Sequence, residues 1–168
     1  MAMLDVHLSA PFRILRAAQP IIAAAAKAEI ASDGVATRRA VVNISSVAGL
    51  GGNIGQSGYA VGKAGIVGLT KTLCKEWGRF NVTVNAVAFG AIMTRMIAGE
   101  TGKSTITMRD KEIRAGVGPE ILEAMERGIP LGRTGTPEEA AGAVYLLCAP
   151  KSAYISGQVI VAGGGWSL

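Results

Sequence analysis

Three polar side chains in the stretch NISSVAGLGGNIGQSGYAVGK, residues 43–63, have the types and spacing for proton transfer. Tyr59 and Lys63 stand four positions apart, which on a helix puts them on one face. Ser46 lies thirteen residues before Tyr59, at the mouth of the apolar run AVVNI. A tyrosine hydroxyl is a poor acid or base near neutrality, since its unperturbed pKa is ~10. A lysine ammonium a few ångströms away favours the phenolate and lowers such a value by roughly 1–3 units. A tyrosine so placed becomes a usable general acid or base. A serine beside the pair can donate a hydrogen bond to a substrate oxygen. The set fits proton transfer at a carbonyl or alcohol oxygen. The plainer alternative is an exposed Tyr–Lys helix face with a serine in a turn, but all three fall together at one strand–loop–helix junction.

The elements that must position these residues are legible in the hydrophobic pattern. Leu4, Leu8, Phe12, Leu15, Ala18, Ile22 and Ala26 recur at helical steps and predict a helix over 3–31. Pro11 belongs in its first turn, so the regular helix starts near Ser9; Pro20 should kink it and Asp33-Gly34 should end it. Residues 40–44 read as a strand and 57–78 as a second helix, whose Gly58, Gly62, Gly65 and Gly68 leave a bare surface for close packing. Residues 82–87 form the next strand, giving a βαβ unit with a right-handed crossover. Thr136 as N-cap, Pro137 at the first position and Glu138-Glu139 in the first turn predict a helix over 137–149. GQVIV at 157–161 is a third strand. The pattern is that of one side of a doubly wound α/β sheet.

At these residues the chain resembles the short-chain dehydrogenase/reductase family. The resemblance is carried by NISSVAG, by Tyr59-x-x-x-Lys63, by VNAVAFGAIMT at 84–94, by GRTGTPEEAA at 132–141 and by YISGQVIVAGGG at 154–165, in the family's order. The C-terminal pattern is most similar to the 3-oxoacyl-(acyl carrier protein) reductase branch. The resemblance implies the C-terminal half of a Rossmann-type domain over residues 1–168, with NAD or NADP as cofactor and a carbonyl or acyl-thioester substrate. Ser46 would orient the substrate oxygen, Tyr59 transfer the proton, and Lys63 assist Tyr59 and hold the nicotinamide ribose. Gly90, Ile92 and Thr94 would meet the nicotinamide end, with Phe89 standing where the family usually has proline. His7 stands where the family commonly has asparagine, whose main-chain carbonyl serves a water relay behind the lysine. Residues 90–130, an excursion of weak periodicity in which PEILEAMERG reads as a short helix from Pro119, would cover the substrate. From 95 to 127 it carries six basic and six acidic side chains, so its charge does not select a substrate.

The family opens with a strand, a glycine-rich turn, a helix and a selector for the adenosine ribose. None of these is read before residue 40, so the chain is expected not to catalyse hydride transfer alone. GLGGNIG at 49–55 lacks the G-x-G-x-x-G spacing and reads as the loop that sets Ser46 against Tyr59. Two other readings stand beside the reductase. One is an epimerase or dehydratase of the extended relatives; the other is a non-catalytic chain that only oligomerises.

Composition sets the outer limits. At 168 residues, 49% apolar and 17% charged, this is one domain with enough apolar surface for a core. The net charge of +5 is spread along the chain, and the Arg38-Arg39 doublet reads as a solvated turn rather than a nucleic-acid contact. Cys74 and Cys148 have no metal-ligand spacing and read as buried free thiols of a reducing compartment. No metal site is expected. No apolar run approaches the ~20 residues of a membrane span. Arg13 and Arg16 before PIIAAAA faintly resemble a signal peptide, but Asp5, His7 and Gln19 interrupt it, so a cytoplasmic protein is expected. Asn43 and Asn85 inside strands should brace neighbouring segments. The surplus of apolar helix surface points to a homodimer or homotetramer, with Trp77 or Phe80 near a subunit boundary.

Overall fold

The computed structural model describes residues 2–94, 97, 105–108, 111–114 and 117–166. The chain opens on helix in three parts: α1 (Ala2–Leu4), a π-turn (Asp5–Ser9) and α2 (Ala10–Asp33). The break falls where Pro11 requires it. Proline has no N–H, so neither His7 nor Val6 receives a bond from position 11. The turn widens instead, and the Ala10 N–H bonds to the carbonyl of Asp5, five residues back. Pro20 lies inside α2, which continues to Asp33 and stops on Gly34 in the left-handed region, φ 78°.

The three expected strands are present and longer at their site ends. They are β1 (Arg39–Ser46), β2 (Val82–Phe89) and a last strand, β5 (Val159–Ala162). They form a parallel sheet in the order β1-β2-β5. The register puts Ser46 opposite Phe89 and Phe89 opposite Ala162, so all three strands end in one row. Between β1 and β2 run a one-turn helix, α3 (Ala48–Gly51), and the long helix α4 (Ser57–Trp77). The stretch expected as a loop is therefore partly helical, with Gly52 and Gly55 at positive φ supplying the turn into α4.

The core lies between α2, α4 and one face of the sheet. Ala23 and Ala26 of α2 meet Leu73 and Trp77 of α4, Phe80, and Val82 and Val84 of β2. Each large side chain so buried contributes roughly 1.5–3 kcal/mol relative to exposure. Trp77 and Phe80, expected near a subunit boundary, belong to this internal cluster. The alanines let α2 approach closely, and the glycines of α4 do the same further toward the N-terminus. A Cβ on Gly65 would lie 2.8 Å from Leu8 Cδ1, and one on Gly62 3.0 Å from His7 Cβ.

On the opposite face lies the helix that follows the excursion, whose last element is α5 (Pro119–Arg127). This is α6 (Pro137–Cys148), started by a complete capping box between Thr136 and Glu139. Arg38 ties its other end down. The guanidinium donates to the carbonyls of Leu147, Cys148 and Ala149 and to the hydroxyls of Thr83 and Ser152. Arg39 pairs with Glu29 at 2.6 Å. The doublet is therefore not a solvated turn but two separate fastenings, one of them a cation at a helix C-terminus. Cys148 is exposed and Cys74 half-buried, against the expectation of two buried thiols. Cys148 is the last residue of α6, on a helix that also exposes Tyr145 and Leu146. Within the excursion, Thr105–Met108 and Lys111–Arg114 form an antiparallel pair, β3 and β4, which weak periodicity did not announce. Much of the stretch expected to cover the substrate lies outside the described residues. Asn43 and Asn85 brace as expected: Asn43 donates to Thr70 Oγ1 at 2.9 Å, and Asn85 donates to the Ile155 carbonyl and accepts from the Gln158 N–H.

Candidate active site

The carboxyl ends of the three parallel strands open on one side, and helix α4 starts beside them. Tyr59 sits in the first turn of α4 and Lys63 one turn on, so the four-residue spacing puts both over the end of β1. Lys63 is 8% exposed. Its ammonium donates to the carbonyl of Ile44 at 3.0 Å and lies 5.6 Å from the centre of the Tyr59 ring. An ammonium has three donors, so two remain beyond the Ile44 bond. Burial pulls the Lys63 pKa below its ordinary 10.5.

His7 comes in from the π-turn. Its imidazole meets the Tyr59 ring edge to face, with centroids 4.9 Å apart and planes at 87°. Its pKa is lowered from 6.5, first by burial and then by the positive charge of Lys63. The carbonyl of the same residue has lost the bond that a residue other than Pro11 would have given it in an α-helix.

Ser46 ends β1 and is 8% exposed. Its hydroxyl accepts from the Ala48 N–H at 3.2 Å and donates to the Phe89 carbonyl at 3.4 Å. The structure thus brings His7, Tyr59 and Lys63 together directly. It sets Ser46 at the adjoining strand end without a hydrogen bond from Ser46 to Tyr59 or Lys63 among the described residues.

Two residues that sequence reasoning passed over fix this geometry. Ser45 Oγ donates to the Lys63 carbonyl at 2.9 Å, tying α4 to β1 beneath the site. Gly49 lies against the backbone of Lys63, where an added Cβ would be 2.7 Å from Lys63 C and Cβ. The SS pair in NISSVAG held the first signal, because adjacent strand residues face opposite ways. The second was masked by the other glycines of the same loop.

Beyond β2 the chain turns at Gly90. A Cβ there would stand 2.7 Å from Gly163 Cα, so the glycine permits two strand-end loops to touch. Phe89 is the last residue of the ladder, and its carbonyl accepts from both Val47 N–H and Ser46. Ile92 bridges to Gly135: the Gly135 N–H donates to the Ala91 carbonyl, and Met93 N–H to the Gly135 carbonyl. The N–H of Ile92 itself therefore points away from Gly135 and has no partner among the described residues. Thr94 is exposed, and its carbonyl accepts from Ile97 N–H at 2.9 Å. An unpaired N–H at Ile92, a hydroxyl at Thr94 and a lysine with spare donors suit a carboxamide and a ribose, so these residues fit the nicotinamide end of a dinucleotide.

The family described as enoyl-(acyl carrier protein) reductase matches residues 1–167. A 3-oxoacyl-[acyl-carrier-protein] reductase of Aquifex aeolicus is 44% identical over 125 residues, 74% of this chain and 44% of that protein. A (3R)-3-hydroxyacyl-CoA dehydrogenase of Rattus norvegicus is 40% identical over 142 residues, 84% of this chain and 47% of that protein. The chain spans about half the length of the curated relatives it matches. The crystal structure of a 3-oxoacyl-[acyl-carrier protein] reductase from Brucella melitensis superposes with a TM-score of 0.75 at 30% identity, covering 96% of this chain and 50% of that one.

Proposed function

Because this chain belongs to the short-chain dehydrogenase/reductase family, we propose that it carries the catalytic half of an NAD(P)-dependent reductase of 3-oxoacyl thioesters. The observation that carries the reading is the meeting of Tyr59 with His7 and Lys63 at the open end of the sheet, where β1 ends on Ser46. The fatty-acyl substrate class follows the relatives' names, and residues 1–168 are read as one domain.

Ile92, Thr94, Gly90 and Lys63 would hold the nicotinamide end of a reduced dinucleotide, which would supply the hydride for the carbonyl carbon. The chain's own residues deal with the oxygen. Ser46 donates a hydrogen bond to it once substrate displaces the contact with the Phe89 carbonyl. Tyr59 gives the oxygen its proton, which completes the alcohol. Lys63 holds positive charge beside the ring while the phenol is ionised. The His7 carbonyl, to which Pro11 has no N–H to give, can hold a water behind Lys63, through which the proton is restored from solvent. Of the excursion, α5 is the described helix that would cover the substrate.

The same reading places the protein in the cytoplasm as a homodimer or homotetramer. Among the described residues no helix is long and apolar enough to cross a membrane. Phe12, Ile14 and Ile21 leave apolar surface on α2, and a groove between α2 and α4 is lined by Phe12, Leu15, Leu69 and Leu73.

The test uses this chain and a chimera in which the part of the Aquifex aeolicus relative that it does not cover is joined to it. Oxidation of NADPH or NADH is followed with a 3-oxoacyl thioester. Tyr59→Phe should lower turnover by about 10²-fold, and a near wild-type rate in that variant would overturn the proposal.

A further inference from the structure

We propose that the His7 side chain is a positioning residue for Tyr59, fixing the phenol ring by an edge-to-face contact that the imidazole makes in its neutral form. The inference rests on the reading of Tyr59 as the proton donor. It concerns a side chain at a position for which the resemblance implies a role mainly through the main-chain carbonyl.

The contact is built rather than incidental. A perpendicular pair at 4.9 Å is the favoured geometry for two rings, whose electron-rich faces meet electron-poor edges. Three features bring the rings together. Pro11 widens the helix into the π-turn that carries His7. Gly62, one turn along α4 from Tyr59, lets that turn press in, since a Cβ there would sit 3.0 Å from His7 Cβ. Gly65 does the same one turn further along α4, where an added Cβ would lie 2.8 Å from Leu8 Cδ1 of the π-turn. The π-turn thus lies in a shallow channel of glycines, and the imidazole is the side chain it delivers to the ring.

Tyr59 is otherwise lightly held. It stands in the first turn of α4, half-buried, and the ammonium of Lys63 lies 5.6 Å from its ring centre. His7 and Lys63 both approach the phenol ring. Removing the imidazole would take away the 4.9 Å ring contact and free the phenol to rotate. A misplacement on the order of 1 Å costs up to about 10²-fold in rate.

The protonation state follows from the neighbours. Lys63 and Tyr59 on α4 face the imidazole, and Asp5 lies two positions before it on its own turn. Lys63 is a cation, so a protonated His7 would set two positive charges about one ring. Burial acts in the same direction.

His7 is the only histidine in the chain, so its imidazole protons are identified without assignment. In the folded protein, nuclear Overhauser contacts should join them to the Tyr59 ring protons, which Tyr59→Phe identifies by difference. Their absence would overturn the proposal. In His7→Ala the Tyr59 ring resonances should move toward those of the fully exposed Tyr154, and in His7→Phe they should stay in place. Identical Tyr59 resonances in wild type and His7→Ala would overturn it as well. In the reductase assay, His7→Ala should lower kcat about tenfold with KM changed less than about twofold, and His7→Phe should recover most of the loss and flatten the acid limb of the pH profile. An equal kcat and an unchanged acid limb in both variants would sink the inference. A chimera that shows no reductase activity would refute the function proposed above, and the resonance measurements would still decide the contact.

Discussion

The ammonium of Lys63, one turn into α4, closes on the main-chain carbonyl of Ile44, two residues before the end of β1. With Ser45 donating to the Lys63 carbonyl, helix and strand are joined twice at the same point. A residue placed for chemistry is therefore also a structural tie.

Lys63→Met tests both roles. It should remove reductase activity and leave the Ile44 carbonyl without its partner, a loss on the order of 1–3 kcal/mol. Urea denaturation reads the second effect independently of the first. Unchanged stability would show that the Ile44 contact contributes nothing.

Gly49 sets a steric limit on the same junction. Gly49→Ala should destabilise the chain by roughly 1–3 kcal/mol, because the new methyl meets backbone atoms of Lys63 that cannot yield separately from α4. Gly68→Ala places its methyl in open space on α4, where the backbone is helical, and should cost nothing. Melting temperatures of the two variants should fall in that order, Gly49→Ala lower.

Stability should change with pH in two separate windows. His7 has a folded pKa below its ordinary 6.5, so the unfolded chain binds the proton more readily. The stabilisation is complete above 6.5 and declines as pH falls from there through the lower folded value. Glu29 and Glu139 are held at about 2 by hydrogen bonds from Arg39 and Arg133, so what they contribute above 4.5 is lost as pH falls from 4.5 to about 2. Denaturation midpoints measured from pH 8 to 3 should show the upper window vanish in His7→Asn and the start of the lower one persist.

Asn85 is fully buried and holds the chain after α6 against β2. Asn85→Ala leaves the Ile155 carbonyl and the Gln158 N–H without partners and should cost about 2–6 kcal/mol, twice the loss for one orphaned group. Faster hydrogen exchange at residues 155–162 than in β1 would locate the damage; equal exchange in the two would contradict it.

Much of this was legible in the sequence. Strands announce themselves when runs are apolar and short, as AVVNI and VTVNAV do, and Thr136-Pro137 with Glu139 spells out a helix start. Tyr59 and Lys63 were readable because helical spacing alone sets their face. Arg38 was not. Its partners, the last carbonyls of α6, lie more than a hundred residues away and carry no side-chain signature. The His7–Tyr59 contact was equally hidden, because it depends on a helix widened by a proline four residues later. Cys148 misled because an apolar helical pattern states which residues share a face but not whether anything covers it.

The common end row of Ser46, Phe89 and Ala162 has a bearing on how such a protein changes over generations. Each strand finishes its pairing before its loop begins, so insertions or exchanges beyond that row leave the ladder untouched. Substrate range can drift by loop replacement while Tyr59 and Lys63, anchored below the row through Ser45 and Ile44, stay where they are.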